Sequence, residues 1–173
     1  DLERLANIGY DAVLANLLSS TNYENVDQDI LDRFYPTSTE GGDETISIGH
    51  WMHRVALGNC PLQEKMALFW HHVFATGSEK VGHPFASQHQ FQKFRRIGLT
   101  NFRDILVTIS KDPAMIMWLD NNQNFRDNPN ENYGRELLEL FSMGVGNYTE
   151  KDVKATTQAF TGWTFTWSLR QSG

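Results

Sequence analysis

Five polar side chains in two helical segments are spaced so that they can do chemistry together. Glu64 and His71 stand seven residues apart in Pro61–Phe74, two helical turns and about 10 Å along the axis. Both project from the side opposite Leu62, Met66, Phe69, Trp70, Val73 and Phe74, whose spacing marks a buried face. They are too far apart to hydrogen-bond and close enough to line one cleft. In Glu131–Met143, Asn132, Glu136 and Glu139 follow at i, i+4 and i+7 beside an apolar stripe of Tyr133, Leu137, Leu140 and Phe141. Imidazole titrates near neutral pH and binds metals. Two carboxylates one turn apart can hold a hard cation, or one can raise the pKa of the other and make it a general acid. His71, Glu136 and Glu139 are therefore candidates for catalysis and for a divalent metal, with Arg135 as an anion holder. Glu64, Asn132 and Trp163 are candidates for substrate contact, Trp163 because an exposed pair with Trp167 can stack on a sugar or a partner.

The same residues also have structural explanations. Glu131–Arg135 and Arg135–Glu139 are i,i+4 pairs worth a few tenths of a kcal/mol each, roughly, on a solvated face. Glu64 and His71 can be second-layer polar groups. Lys93, Arg95 and Arg96 read as a solvated basic face, and His50 with His53 as a surface pair. No H-E-x-x-H, no G-x-S-x-G and no phosphate-cradling glycine loop occurs. Nucleophilic serine chemistry has no support.

The elements that must position these groups are helical. Leu2, Leu5, Val13, Leu14, Leu17 and Leu18 make an amphipathic opening over Asp1–Leu18, with Gly9 a weak point. A shorter pattern covers Asp27–Tyr35 and a polar, glycine-bearing loop covers Thr37–Thr45. Helices are expected at Ile46–Leu57, Pro61–Phe74, Phe85–Ile97, Phe102–Ser110 and from Pro113 to Leu119. Their signals are Pro at a first helical position and the caps Asn101 and Asp112. Gly77–Pro84 reads as a break and Asp120–Pro129 as a polar loop. Asn130 caps Glu131–Met143, Gly144 stops it, and Thr149 with Asp152 forms a capping-box pattern for Glu150–Thr161. The expected class is all-α, an irregular bundle of about eight or nine helices. Thr164–Leu169 alternates polar and apolar and suggests a short C-terminal strand.

The chain has 173 residues, 40% hydrophobic and 21% charged, with a net charge of -6. That fits one helical domain over 1–173 with enough mass for a core. Asp1 is not an initiator methionine and the last strand pattern lacks a partner, so the domain reads as a piece of a longer chain cut at both ends. The acidic balance argues against a general nucleic-acid binder. No apolar run reaches the roughly 18–20 residues of a membrane span. Cys60, the single cysteine, can form no internal disulfide and excludes a multi-cysteine zinc site.

Asn130–Trp163, NENYGRELLELFSMGVGNYTEKDVKATTQAFTGW, resembles the signature of the bacterial "domain of unknown function 1800" family. That signature runs N-E-N-Y-(A/G)-R-E-L-x-E-L-F, then G-V, Y-T-E-x-D-V and A-x-T-G-W. Phe160 replaces the commoner leucine of the last stretch. Pro61–Ala75 (PLQEKMALFWHHVFA) is similar to the family's P-L-x-E-K-M-x-L-F-W-H segment, and Asn101–Leu119 to N-F-R-D-L-L-x-x-x-x-K-D-P-A-M. The matches keep order and spacing across about Ile46–Trp163. Where some members carry W-H-N-H, this chain has Trp70-His71-His72-Val73, so only His71 carries over.

The resemblance implies a bacterial, mainly helical protein, longer than this chain and often exported. An extracytoplasmic setting, periplasmic or secreted, follows, with a protein partner from an exported family encoded beside it. It implies no reaction and no defined cofactor. Two functions remain open: a binding or scaffold module in which the polar motif residues form a buried network, and a hydrolase with a carboxylate/histidine, metal-assisted site.

Overall fold

Prolines and short polar side chains start the helices where the chain needs them. The computed structural model describes residues 2–19, 28–35 and 44–166. The opening segment is two helices, α1 (Leu2–Ile8) and α2 (Tyr10–Leu18), because Gly9 at φ 87 turns the chain between them. Next come α3 (Gln28–Phe34), α4 (Glu44–Leu57) and α5 (Pro61–Phe74), the last with Pro61 in its first turn. Ala75 at φ 41 closes α5 in the left-handed region. A single turn, α6 (Ser78–Val81), sits in the expected break and precedes α7 (Pro84–Ile97). Gly9 and this extra turn raise the count from the expected eight or nine to eleven α-helices among the described residues.

Side-chain caps set the second half. Asn101 accepts from the Asp104 amide at 3.0 Å and starts α8 (Phe102–Ser110). Asp112 accepts from the amides of Ala114 and Met115 at 3.0 and 3.3 Å and starts α9 (Pro113–Trp118). A 3-10 turn, Asn121–Gln123, follows, then α10 (Asn132–Glu139) and α11 (Glu150–Ala159), the latter opened by the complete Thr149/Asp152 capping box. α10 ends four residues before the expected Met143. Leu140 is therefore 65% exposed instead of buried, while Tyr133 and Phe141 keep their places in the core. Phe69, expected to be core, is 51% exposed. Residues 164–166 of the expected strand are irregular, and 167–169 fall outside the described residues, as does Trp167.

α5 and α7 pack along one another at the centre, α4 lies against both, and α8 and α9 pack on α7. Their contact buries Ala67, Phe74, Phe94, Ile105, Ile109 and Met115, with Tyr133 and Phe141 arriving from the α10 side. Tyr133 donates its hydroxyl to Ser110 at 2.6 Å, so its polar tip is satisfied in the core. α10 crosses α11 at Gly134, where a Cβ would stand 2.6 Å from Thr157 Oγ1. Asn124 donates to the Thr157 carbonyl at 2.8 Å and accepts from the Asn130 amide at 3.1 Å, tying this pair to the polar loop. No helix among the described residues is long and apolar enough to cross a membrane.

Candidate ligand-binding site

The α5–α7 contact leaves a cavity of about 470 Å³ where α4 and the α6 turn meet it. α4 supplies His50, Trp51 and Arg54, α5 supplies His71, and α7 supplies Phe91 and Arg95. The aromatic wall is continuous. The Trp51 and Phe91 rings stack with centroids 4.7 Å apart, and His71 lies 4.4 Å from Phe91 on its other contact. Among the described residues no aspartate or glutamate lines the cavity.

Glu64 stands directly behind this wall. It is 3% exposed, and its Oε1 accepts from Arg95 Nε at 2.5 Å. The Oε2 atom is buried without a hydrogen-bond partner. Burial of a carboxylate is costly unless it is paired, and Arg95 supplies the pairing across the α5–α7 interface. Basic residues expected on a solvated face are therefore committed inward. Lys93 reaches the wholly buried Asp112 at 2.5 Å, where Gln90 Nε2 also donates at 2.9 Å. Arg96 alone of the three is exposed. His50, expected at the surface, is 3% exposed. Spacing along one helix cannot show this, because the partners lie 31 and 19 residues away.

His71 points into the cavity with Nδ1 buried and unpaired, and Trp51 Nε1 is likewise buried without an acceptor. Loss of solvent pushes the His71 imidazole below its ordinary value, and neighbouring His72 adds to this, so the ring is neutral around pH 7.

The α10 candidates do not line this cavity. Arg135 makes a two-pronged pair with Glu150, 2.8 Å on each arm, and a longer 3.4 Å contact with Glu131. Glu139 accepts from the Tyr148 hydroxyl, which raises the phenol. Glu136 is half-buried, and desolvation together with the Glu139 charge raises its carboxyl, against the lowering effect of Arg135. Asn132 is capped by Asn130 Oδ1 at 3.0 Å and reaches Asp120 at 3.5 Å. Trp163 packs on Phe160 with ring centroids 5.8 Å apart. Among the described residues no three His, Cys, Asp or Glu side chains gather closely enough to hold a metal ion. His71 faces Phe91 and Glu139 faces Tyr148, so these two do not join Glu136 as one ligand set.

Of the expected site residues, the structure joins Glu64 and His71 to one cavity, Glu64 through Arg95. Sequence reasoning missed Trp51, Arg54 and Arg95 as members. The signal available was His50-Trp51 with Arg54 on one helix, and it lacked only the facing element.

The sequence matches the model of the family described as "Protein of unknown function (DUF1800)" over residues 1–173. No curated protein matches the chain, and no solved structure does. With the motif segments, the helical fold and a match along its whole length, the chain belongs to the DUF1800 family.

Proposed function

We propose that this chain is a binding module whose polar motif residues hold helices in register, working in an extracytoplasmic setting as the family resemblance implies. One observation carries the reading. Four charged groups of the motif segments are spent on internal partners: Glu64 on Arg95, Asp112 on Lys93 and Gln90, Arg135 on Glu150, Glu139 on Tyr148. The adjoining cavity offers rings and donors without a carboxylate among the described residues to serve as acid or base. A buried network of this kind fixes a unique packing. α4 also exposes Met52 and Val55, in line with Ile48 of the cavity lining at i, i+4 and i+7, an apolar stripe that supports docking of a protein partner.

The hydrolase reading has one observation in its favour, the raised carboxyl of Glu136 beside Glu139. A panel of chromogenic esters, phosphates and glycosides separates the two. The binding module gives no turnover above that of a His71→Ala, Glu136→Gln double variant. Turnover abolished in a folded His71→Ala or Glu136→Gln protein overturns the binding reading.

A further inference from the structure

The indole of Trp51 and the guanidinium of Arg95 border the α4–α5–α7 cavity with donors that no acceptor takes up, among hydroxyl and amide side chains such as Ser47, Thr76 and Gln92. Trp51 Nε1 is buried and unpaired, and an indole nitrogen can only donate. His71 lines the cavity as well with Nδ1 unpaired, an atom that in a neutral imidazole donates in one tautomer and accepts in the other. Arg95 uses Nε for Glu64, and its terminal nitrogens carry no hydrogen bond among the described residues. A guanidinium fixed through Nε by a buried carboxylate presents the end of its fork, a geometry that fits two oxygens side by side. A buried donor without a partner is costly, and an acceptor oxygen brought into the cavity would satisfy Trp51 Nε1.

We propose that this cavity binds a small organic carboxylate with a planar apolar body, the carboxylate on the Arg95 fork and Trp51 Nε1, the body along the Phe91–His71 wall. The proposal rests on the binding-module reading and names its ligand class. The Glu64–Arg95 pair is neutral as a unit and Arg54 adds one positive charge to the lining, which suits a monoanion better than a phosphate dianion. The flat side of the ligand is set by the wall itself, where Trp51, Phe91 and His71 succeed one another at 4.7 and 4.4 Å. The volume, about 470 Å³, admits one or two fused rings with a short acid arm.

The test is calorimetric titration of the full-length protein with benzoate, phenylacetate and indole-3-acetate, each beside its primary amide. At least one acid binds about tenfold or more tighter than its amide. Arg95→Lys keeps a cation for Glu64 and removes the fork. Trp51→Phe keeps the ring on Phe91 and removes the donor. Each, checked by circular dichroism for native helix content, lowers the acid's affinity about fivefold or more and leaves the amide's within about twofold. Amides binding as tightly as acids, or acids binding both variants as tightly as the native chain, overturn the proposal. So does failure of all three acids to saturate at millimolar concentration. Amide binding alone leaves the binding-module reading standing, whereas turnover in the chromogenic panel overturns that reading and leaves the acid-to-amide ratio untouched.

Discussion

Arg95 Nε and Glu64 Oε1 meet at 2.5 Å between α7 and α5, with side chains only 13% and 4% exposed. Two central helices are thus joined by an ion pair withdrawn from water, and this pair also sets the orientation of a cavity-lining guanidinium. Removing one partner of a buried pair strands the other charge, at a cost of about 3–5 kcal/mol. Glu64→Ala is expected to lose that much in urea denaturation. Replacing both, Glu64→Leu with Arg95→Met, recovers most of the stability because no uncompensated charge remains.

Asp112 closes a second buried network. Its Oδ1 serves two α9 amides and Gln90, and its Oδ2 takes Lys93. Asp112→Ala removes a helix cap and leaves the buried Gln90 amide and the half-buried Lys93 without an acceptor, so a loss of about 3–5 kcal/mol is expected. Asp112→Asn keeps the cap oxygen and loses less. Denaturant midpoints of the two variants, compared with native, check the order.

His71 makes stability fall on the acid side of neutrality. Its ordinary value is 6.5, and burial lowers it in the folded chain. Between the lowered value and 6.5 the unfolded chain binds the proton more readily, so unfolding free energy decreases as pH drops through this window. Above 6.5 both states are neutral there and the contribution vanishes. His71→Gln flattens the profile below 6.5, and an NMR titration of the imidazole places its midpoint under that value.

Glu136 has the opposite sign. Its carboxyl is raised from 4.5, chiefly by desolvation. As pH rises past 4.5 the unfolded chain gives up its proton first, and the folded chain loses stability until its own carboxyl has ionised. Glu136→Gln therefore stabilises the protein at pH 7, by less than about 1 kcal/mol for a half-buried group. The difference disappears below the ordinary carboxylate range, which thermal melts across pH will show.

What was legible in the sequence is what acts locally. The Asn101 cap, the Asp112-Pro113 start and the Thr149/Asp152 box all appear in the structure because each needs only neighbours within three residues. The all-α class followed from these and from the apolar spacing. The one-turn α6 was not visible, since four residues carry no periodicity. Glu64 looked like a group facing away from the core, yet α7 covers that side and buries it. Arg95 and Lys93 looked solvated for the same reason: their carboxylates come from other helices. His71 was found from chemistry and helical phase, whereas the facing Trp51 and Phe91 emerge only when α4 and α7 are set beside α5.

Cys60 immediately precedes α5 and is buried, and loss of solvent raises its thiol, an effect that outweighs the lowering by Arg95. Thiolate is the reactive form, so in the intact fold this sulfur is shielded from alkylating dyes and from oxidants alike. A thiol-specific dye would then react only through openings that lift the first turn of α5 off its neighbours. The lone thiol becomes a built-in counter of those openings, and its labelling rate in rising urea would tell whether the central helices part before the rest of the bundle or together with it.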